Sequence, residues 1–189
     1  IPTMSEYYHH TLYYNAYIAY SLGYNEEAES IFRQLANYET YDMLSPFYLL
    51  QIEYRRGNYD YVITEGERLM TLVSDDTYAD FVRIIAESYF IKGDYANAIR
   101  YASNMPKEHM SRQMNYIMGY SLYRMARYET AIEPLRMVCG ADDALTQNAS
   151  YHLGDCCLRV GDKSKAADAF AMASVEGFDA AIAEDALLN

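Results

Sequence analysis

The sequence predicts an all-α fold, a right-handed superhelical solenoid of antiparallel helix pairs with about five repeats and the first helix of a sixth. Small residues that can end a helix recur at a nearly constant spacing. Each is followed by a second helix-forming stretch, which carries a small residue at a fixed place. The turn residues are Gly23, Gly57, Gly93, Ala126 and Gly161, spaced 34, 36, 33 and 35 residues apart. Such periodicity is typical of solenoids, in which each unit packs only on its neighbours.

Small side chains at matching places in the two helices of each unit predict close helix packing. In the first helices these residues are Ala16, Ala86, Gly119 and Gly154, and in the second helices Ala28, Ala98, Ala131 and Ala166. The second unit departs from the pattern, because Gly66 stands where a large residue is expected and Leu50 replaces a small one. We therefore expect looser or shifted packing in that unit.

Polar residues next to the turns predict the helix starts. Asn25, Asn58, Asp94 and Asp162 each follow a turn closely and are expected to cap the second helix, a contact worth about 1 kcal/mol. In the first unit, Thr3-Met4-Ser5-Glu6 has the pattern of a capping box. Pro46 is expected in the first turn of its helix, where a missing N–H costs little.

The stretch Ser150 to Ser174, SYHLGDCCLRVGDKSKAADAFAMAS, resembles the tetratricopeptide repeat (TPR). Leu153-Gly154, Ala166 and Phe170 match the signature W-x-x-L-G-x-x-Y…A-x-x-x-F, with Ser150 and Cys157 replacing the two aromatic residues. The tracts YYNAYIAYSLGYNEEAESIFRQL, FYLLQIEYRRGNYDYV and DDALTQNASYHLGDCCLRVGDKSKAADAFAMAS also resemble the long TPR proteins of Gram-negative anaerobes. That resemblance implies a secretory leader and a periplasmic location; the alternative is the cytoplasm.

The whole chain, residues 1–189, is predicted to form one TPR array. The predicted repeats cover 9–42, 43–78, 79–111, 112–146 and 147–180, and 181–189 is expected to begin a further repeat. The last stretch, FDAAIAEDALLN, has the pattern of a first helix without its second. We therefore expect the sequence to be part of a longer array, and the exposed repeat ends to allow self-association.

Composition argues against several classes of function. The net charge is −12, from 27 acidic and 15 basic residues, which opposes binding to nucleic acid phosphates. No apolar run is long enough to cross a bilayer, so we expect no insertion into a membrane. The three cysteines, Cys139, Cys156 and Cys157, form no CxxC motif and are expected to be free and mostly buried.

The resemblance implies that the first helices line a concave groove that meets a partner. The predicted partner-binding residues are Tyr13, Tyr17, Tyr20, Phe47, Gln51, Tyr54, Arg83, Glu87, Tyr116, Tyr120, Tyr123, Arg124, Asn148, Tyr151, Asp155 and Arg159. Tyr and Arg are enriched at binding hot spots, and tyrosine offers an apolar ring with a polar tip. An equally weighted interpretation is that about half of the tyrosines stack on the neighbouring repeat instead.

Catalytic and metal-binding patterns are missing from the sequence. The four histidines have no HExxH spacing, and no GxSxG or GxxxxGK[ST] motif is present. We therefore predict no catalytic residue, no metal and no cofactor. The predicted function is a non-enzymatic protein- or peptide-binding scaffold. The alternatives are a carbohydrate-binding or nutrient-uptake module, since aromatic faces also stack on sugars, and a passive spacer or self-association array.

Overall fold

The structure is a computed structural model that describes residues 4–42, 44–73, 75–175 and 177–188. These residues form eleven α-helices and two short 3₁₀ helices, Glu39–Tyr41 and Lys107–His109. The α-helices are α1 (Met4–Ser21), α2 (Asn25–Leu35), α3 (Leu44–Arg55), α4 (Tyr59–Met70), α5 (Asp75–Ile91), α6 (Tyr95–Ala102), α7 (Arg112–Arg124), α8 (Tyr128–Arg136), α9 (Ala144–Arg159), α10 (Lys163–Val175) and α11 (Ala180–Leu188). Within these residues no helix is both long and apolar enough to cross a membrane.

The chain divides into two compact units, Ile1–Ser88 and Tyr89–Asn189. In unit 1, α1 packs on α2, α2 on α3, and α3 on α4. In unit 2, consecutive helices from α6 to α11 pack on one another in the same way. Each unit is therefore built from helix hairpins that also contact the next hairpin.

The five predicted turn residues all end a first helix with the same hydrogen-bonded motif. Their φ angles are positive, from 57° at Ala126 to 86° at Gly161. At the last turn, the Gly161 N–H donates to the Leu158 carbonyl at 3.1 Å and the Asp162 N–H to the Cys157 carbonyl at 2.9 Å. This is the Schellman motif, which satisfies carbonyls at the helix end and favours glycine. The predicted turn positions are confirmed.

The predicted caps are confirmed in two cases and wrong in two. Asp94 and Asp162 accept hydrogen bonds from backbone N–H groups three residues on. Asn58 makes no cap and instead donates to Glu53. Asn25 is the first residue of α2, and its side-chain oxygen accepts a hydrogen bond from Arg55 at 3.2 Å. The capping box that begins at Thr3 lies outside the described residues. Pro46 is the third residue of α3, as predicted.

The core of unit 1 lies between α1, α2 and α3. Ala16 and Ala28 are completely buried, and Phe32 fills the space between these helices and α3. Of the looser or shifted packing expected in the second repeat, the structure shows a shift at Gly66 and no gap. A Cβ atom at Gly66 would lie 3.0 Å from Cγ1 of Ile85 on α5, so this isoleucine fills the space that the missing side chain leaves.

Two helical glycines in unit 2 are in close contact with the second helix of their own repeat. A Cβ atom at Gly119 would lie 2.7 Å from Cγ of Leu135, and one at Gly154 would lie 2.7 Å from the ring of Phe170. Real Cβ atoms do not approach a neighbour so closely, so a larger residue at either place would force the neighbouring side chain or helix to move. The predicted steric role of these small residues is confirmed.

Polar contacts join neighbouring repeats in unit 2. Arg112 on α7 forms a bidentate pair with Asp143, the N-cap of α9, at 2.7 and 3.0 Å. Gln147 on α9 is buried and bonds the backbone of Ala173 and Asp179. All three cysteines are free, as predicted, and burial raises the pKa of Cys156 to about 12.

Candidate partner-binding face

The sixteen predicted partner-binding residues lie on the first helix of each hairpin, and those in each unit are called the first-helix face of that unit below. Unit 1 contributes residues of α1, α3 and α5, and unit 2 contributes residues of α7 and α9. The helical periodicity that spaces them three or four residues apart places them on neighbouring turns of the same helix. Each unit is described by itself.

In unit 1 the tyrosines of α1 gather around Tyr48 of α3. The ring of Tyr48 stacks on Phe32 with centroids 4.7 Å apart and an angle of 5° between the planes. The Tyr13 hydroxyl donates to the Tyr48 hydroxyl at 3.4 Å, and the ring of Tyr20 lies 5.3 Å away. Burial raises the pKa of Tyr48 well above its usual value. Tyr13 and Tyr20 therefore serve mainly to pack α1 against α3.

Tyr17 remains available at the surface of the same cluster. Its side chain is 44% exposed, and its ring meets Tyr48 edge-on at 5.9 Å. Arg55 lies over the ring of Tyr20 at 3.7 Å and donates to the Tyr20 carbonyl at 2.7 Å. This arginine therefore fixes the end of α1 and has little freedom to meet a ligand.

The rest of the unit 1 face combines apolar and charged groups on α3 and α5. Phe47 contacts Phe81, with ring centroids 5.2 Å apart. Gln51 is buried, so its side chain does not line the surface. Burial and a hydrogen bond to Glu87 raise the pKa of Tyr54 to about 12. Glu87 also pairs with Arg83 at 3.3 Å, so the charges here are largely neutralised.

In unit 2 a group of tyrosines gathers around His152 of α9. Tyr120 and Tyr123 of α7 lie 4.8 Å from the His152 ring, and Tyr151 lies 5.5 Å from it. Tyr116 stacks on Tyr120 at 5.6 Å. Burial lowers the pKa of His152 to about 4 and raises that of Tyr116 to about 12. The histidine is therefore neutral near pH 7 and acts as part of an aromatic cluster.

The arginines of the unit 2 face are held by tyrosines and acids of the same unit. Arg124 donates to the Tyr120 hydroxyl at 3.1 Å and lies over the ring of Tyr95 at 4.9 Å. Arg159 pairs with Asp155 at 2.9 Å. These contacts hold long, flexible side chains in one arrangement and leave the tyrosine rings partly open to solvent.

Carboxylates and an amide complete the face of α9. Burial and a hydrogen bond with Asp155 raise the pKa of Tyr123 to about 12. The Tyr151 hydroxyl donates to Asp185 of α11, and this bond raises the pKa of Tyr151 to about 12. Asn148 donates to the Ala144 carbonyl at 3.0 Å within its own helix.

Two central residues of these clusters, Tyr48 and His152, were not among the predicted partner-binding residues. Both lie nine residues before a turn residue, since Gly57 follows Tyr48 and Gly161 follows His152 at that distance. Alignment of the repeats on their turns could have indicated them. Their neighbours on the preceding repeat depend on tertiary packing, which no local pattern in the sequence displays.

The two clusters present aromatic rings and tyrosine hydroxyl groups. Among the described residues, no three His, Cys, Asp or Glu side chains are grouped so that they could hold a metal ion. The Nδ1 atom of His152 is buried without a hydrogen-bond partner, and burial lowers the pKa of the ring and keeps it neutral. Such a surface can stack on or hydrogen-bond to a partner.

Comparison with known proteins agrees with this architecture. The family model of the anaphase-promoting complex, cyclosome, subunit 3 matches residues 91–173. No curated protein sequence matches the chain.

Three solved structures have the same fold at low sequence identity. "MamA AMB-1" is 15% identical, with a TM-score of 0.73, and the match covers 96% of this chain and 97% of that one. MamA 41-end from Desulfovibrio magneticus RS-1 is 17% identical, with a TM-score of 0.71 and coverage of 87% and 93%. YrrB, described as a TPR protein with an unusual peptide-binding site, is 12% identical, with a TM-score of 0.73 and coverage of 94% and 91%.

These similarities identify the fold of the chain as that of the tetratricopeptide-repeat proteins. The predicted all-α solenoid class and the predicted resemblance to TPR proteins are confirmed. The identities lie below the level at which a shared function follows from a shared fold. Function therefore has to be argued from the residues of this chain.

Proposed function

We propose that the chain is a non-catalytic scaffold that binds a protein or peptide segment through the first-helix face of one of its units. The observation that supports this most directly is the arrangement of Tyr116, Tyr120 and Tyr123 around His152, where rings and hydroxyls are held in place before any ligand arrives. A surface that is already ordered loses little conformational entropy on binding, which favours affinity. Tyrosine also has few side-chain torsions to restrict.

The pairing of charges supports the same proposal. Arg83, Arg124 and Arg159 are each engaged with an acid or a tyrosine of their own unit. These arginines are therefore not held ready for a phosphate or a carboxylate of a ligand. A peptide that contributes apolar side chains and backbone hydrogen-bonding groups fits such a surface.

The similarity to YrrB adds support from a protein of the same fold, because YrrB is described as having a peptide-binding site. The periplasmic location that the resemblance implies stays a prediction, as do the sixteen partner-binding residues. The absence of a catalytic role is likewise part of this proposal.

A selection from a displayed library of random peptides, run beside a glycan array, tests the proposal. We expect the wild-type chain to enrich peptides, and Tyr17→Ala in unit 1 or Tyr120→Ala in unit 2 to weaken their binding roughly tenfold in calorimetry. Tyr61→Ala is the matched control, because Tyr61 is an exposed tyrosine on the second helix α4. Circular dichroism of each variant verifies that the helices remain.

Three outcomes would contradict the proposal. The first is a library that yields no enriched peptide, and the second is peptide binding that neither face variant weakens. The third is binding of a sugar that Tyr120→Ala abolishes, which would instead establish the carbohydrate-binding alternative.

A further inference from the structure

Four aromatic rings of unit 2 lie together where the third repeat meets the fourth. They belong to Phe90 at the end of α5, Tyr95 at the start of α6, and Tyr116 and Tyr120 on α7. The Phe90 ring lies 5.6 Å from the Tyr120 ring and 6.2 Å from the Tyr116 ring. Tyr95 lies 6.1 Å from both Phe90 and Tyr120. All four side chains are partly exposed, and together they are called the unit 2 aromatic patch below.

The tyrosine hydroxyls of this patch can donate hydrogen bonds to a ligand. Arg124 donates to the oxygen of the Tyr120 hydroxyl at 3.1 Å, so the hydroxyl hydrogen points elsewhere and is free to donate. The hydroxyls of Tyr95 and Tyr116 have no hydrogen-bond partner within the described chain, so they can donate as well. Burial raises the pKa of Tyr116 to about 12, which keeps this hydroxyl protonated.

The carboxylates around the patch already accept hydrogen bonds. Asp155 accepts from Arg159 at 2.9 Å and from the Tyr123 hydroxyl. Asp94, the N-cap of α6, accepts from the backbone and side-chain N–H groups of Asn97 at 3.1 and 2.7 Å. An N–H group of a ligand would have to compete with these bonds or stay unpaired, and a buried donor without a partner is costly.

The arginine beside the patch is held on its rings. The guanidinium of Arg124 lies 4.9 Å from the centre of the Tyr95 ring and 5.7 Å from that of Tyr120. Its charge is therefore engaged, while its remaining N–H groups are further donors. The ligand that complements the patch is uncharged, rich in carbonyl oxygens and poor in N–H groups.

We propose that the unit 2 aromatic patch binds a proline-rich segment in the polyproline II conformation. Proline has no backbone N–H, and its carbonyl can accept a hydrogen bond from a tyrosine hydroxyl. A polyproline II helix makes no internal hydrogen bonds, so its carbonyls are available, and it docks on aromatic-lined grooves with little loss of entropy. Neighbouring rings are 5.6–6.2 Å apart, which matches two residues of this helix at about 3.1 Å per residue. The inference rests on the proposed function, because it names the class of peptide that the first-helix face of unit 2 binds.

Fluorescence anisotropy with a labelled proline decapeptide tests the proposal, and a glycine–serine decapeptide is the control ligand. We expect the proline peptide to bind at least about tenfold more tightly than the control peptide, and Tyr120→Ala to weaken its binding about tenfold. Tyr116→Phe removes a hydroxyl without a partner in the described chain and should weaken binding about fivefold, because one hydrogen bond to a ligand carbonyl is lost. Tyr61→Ala, an exposed tyrosine on α4, should leave the affinity unchanged. Circular dichroism verifies that each variant keeps its helices.

Equal binding of the two decapeptides would overturn the proposal, as would binding of the proline peptide that Tyr120→Ala leaves unchanged. Full affinity in Tyr116→Phe would overturn the hydrogen-bonding argument on which the proposal depends. The displayed library separates this inference from the proposed function. Enriched peptides that lack proline would overturn the inference and leave the peptide-binding function standing, whereas a library without any enriched peptide would overturn both.

Discussion

Gly154→Ala is the most direct test of the steric requirement that shapes the hairpins. The added Cβ atom would lie 2.7 Å from Cδ1 and Cε1 of Phe170, whereas carbon atoms in contact are about 3.5–4.0 Å apart. The Phe170 ring is 4% exposed and also packs against Tyr151 at 5.8 Å, so it has little room to move. The substitution therefore forces α9 and α10 apart or moves the ring from its preferred position.

The expected magnitude is the difference between two opposing effects. Overpacking a well-filled core costs about 1–3 kcal/mol. Replacing glycine by alanine inside a helix gains about 1 kcal/mol of helix propensity. We expect the free energy of unfolding to fall by about 1 kcal/mol, with an upper limit of about 2 kcal/mol.

Urea denaturation followed by circular dichroism measures this change, and a double-mutant cycle with Phe170→Ala provides the control. Phe170→Ala alone should cost about 3–5 kcal/mol. In its background the steric conflict is gone, so adding Gly154→Ala should stabilise the protein through helix propensity. Stabilisation by Gly154→Ala in the wild-type background, or equal effects in both backgrounds, would refute the steric argument.

Three further substitutions test other parts of the structure. Gln147→Ala removes two hydrogen bonds to the carbonyls of Ala173 and Asp179, of 3.2 and 3.0 Å, and one of 2.7 Å from the Asp179 N–H. We expect the free energy of unfolding, measured by urea denaturation, to fall by about 2–4 kcal/mol. A loss below about 1 kcal/mol would contradict this role. Burial lowers the pKa of His152 from 6.5 to about 4, so between about pH 4 and pH 6.5 the unfolded state binds more protons than the folded state. The free energy of unfolding of the wild type, relative to that of His152→Phe, should therefore fall by about 2 kcal/mol from about pH 7 to pH 5. A difference between the two proteins that does not change with pH would be inconsistent with a buried neutral ring. Gly23→Ala should lower the free energy of unfolding by about 1 kcal/mol, because the φ angle of Gly23 is 85°, which strains an alanine backbone. No atom lies within 4 Å of the added Cβ, so packing does not contribute to the change. An unchanged melting curve would argue against that strain.

The sequence was sufficient to predict the parts of the fold that depend on local backbone and small side chains. The turn residues have a positive φ, and even Ala126 adopts this conformation because the same Schellman bonds form around it. Gly119 and Gly154 were predicted as contact positions because no other residue lets helices approach so closely. These requirements act within one hairpin, so the same residue types recur in the sequence at the repeat spacing.

Features that depend on contacts between repeats could not be predicted. Asn25 is no cap, since its side chain bonds Arg55 from the next hairpin. Gly66 causes no gap, since Ile85 of the following helix reaches into the space. Which tyrosines face a partner is decided in the same way, because Tyr13 is held by Tyr48 while Tyr17 stays exposed. A single sequence shows residue types and spacing but not these pairings.

The paired arginines also determine how the first-helix face should respond to salt. Because Arg124 already lies on Tyr95 and bonds Tyr120, and Arg159 is paired with Asp155, a ligand gains little from these charges unless it displaces a partner that is already bound. Salt screens interactions between free charges over about 8–10 Å but hardly affects the stacking of rings. Peptides selected on the wild-type chain should therefore bind with a dissociation constant that changes less than about threefold between low and physiological ionic strength. A steeper dependence in calorimetry would show that unpaired charge, and not the ordered tyrosine surface, provides the affinity.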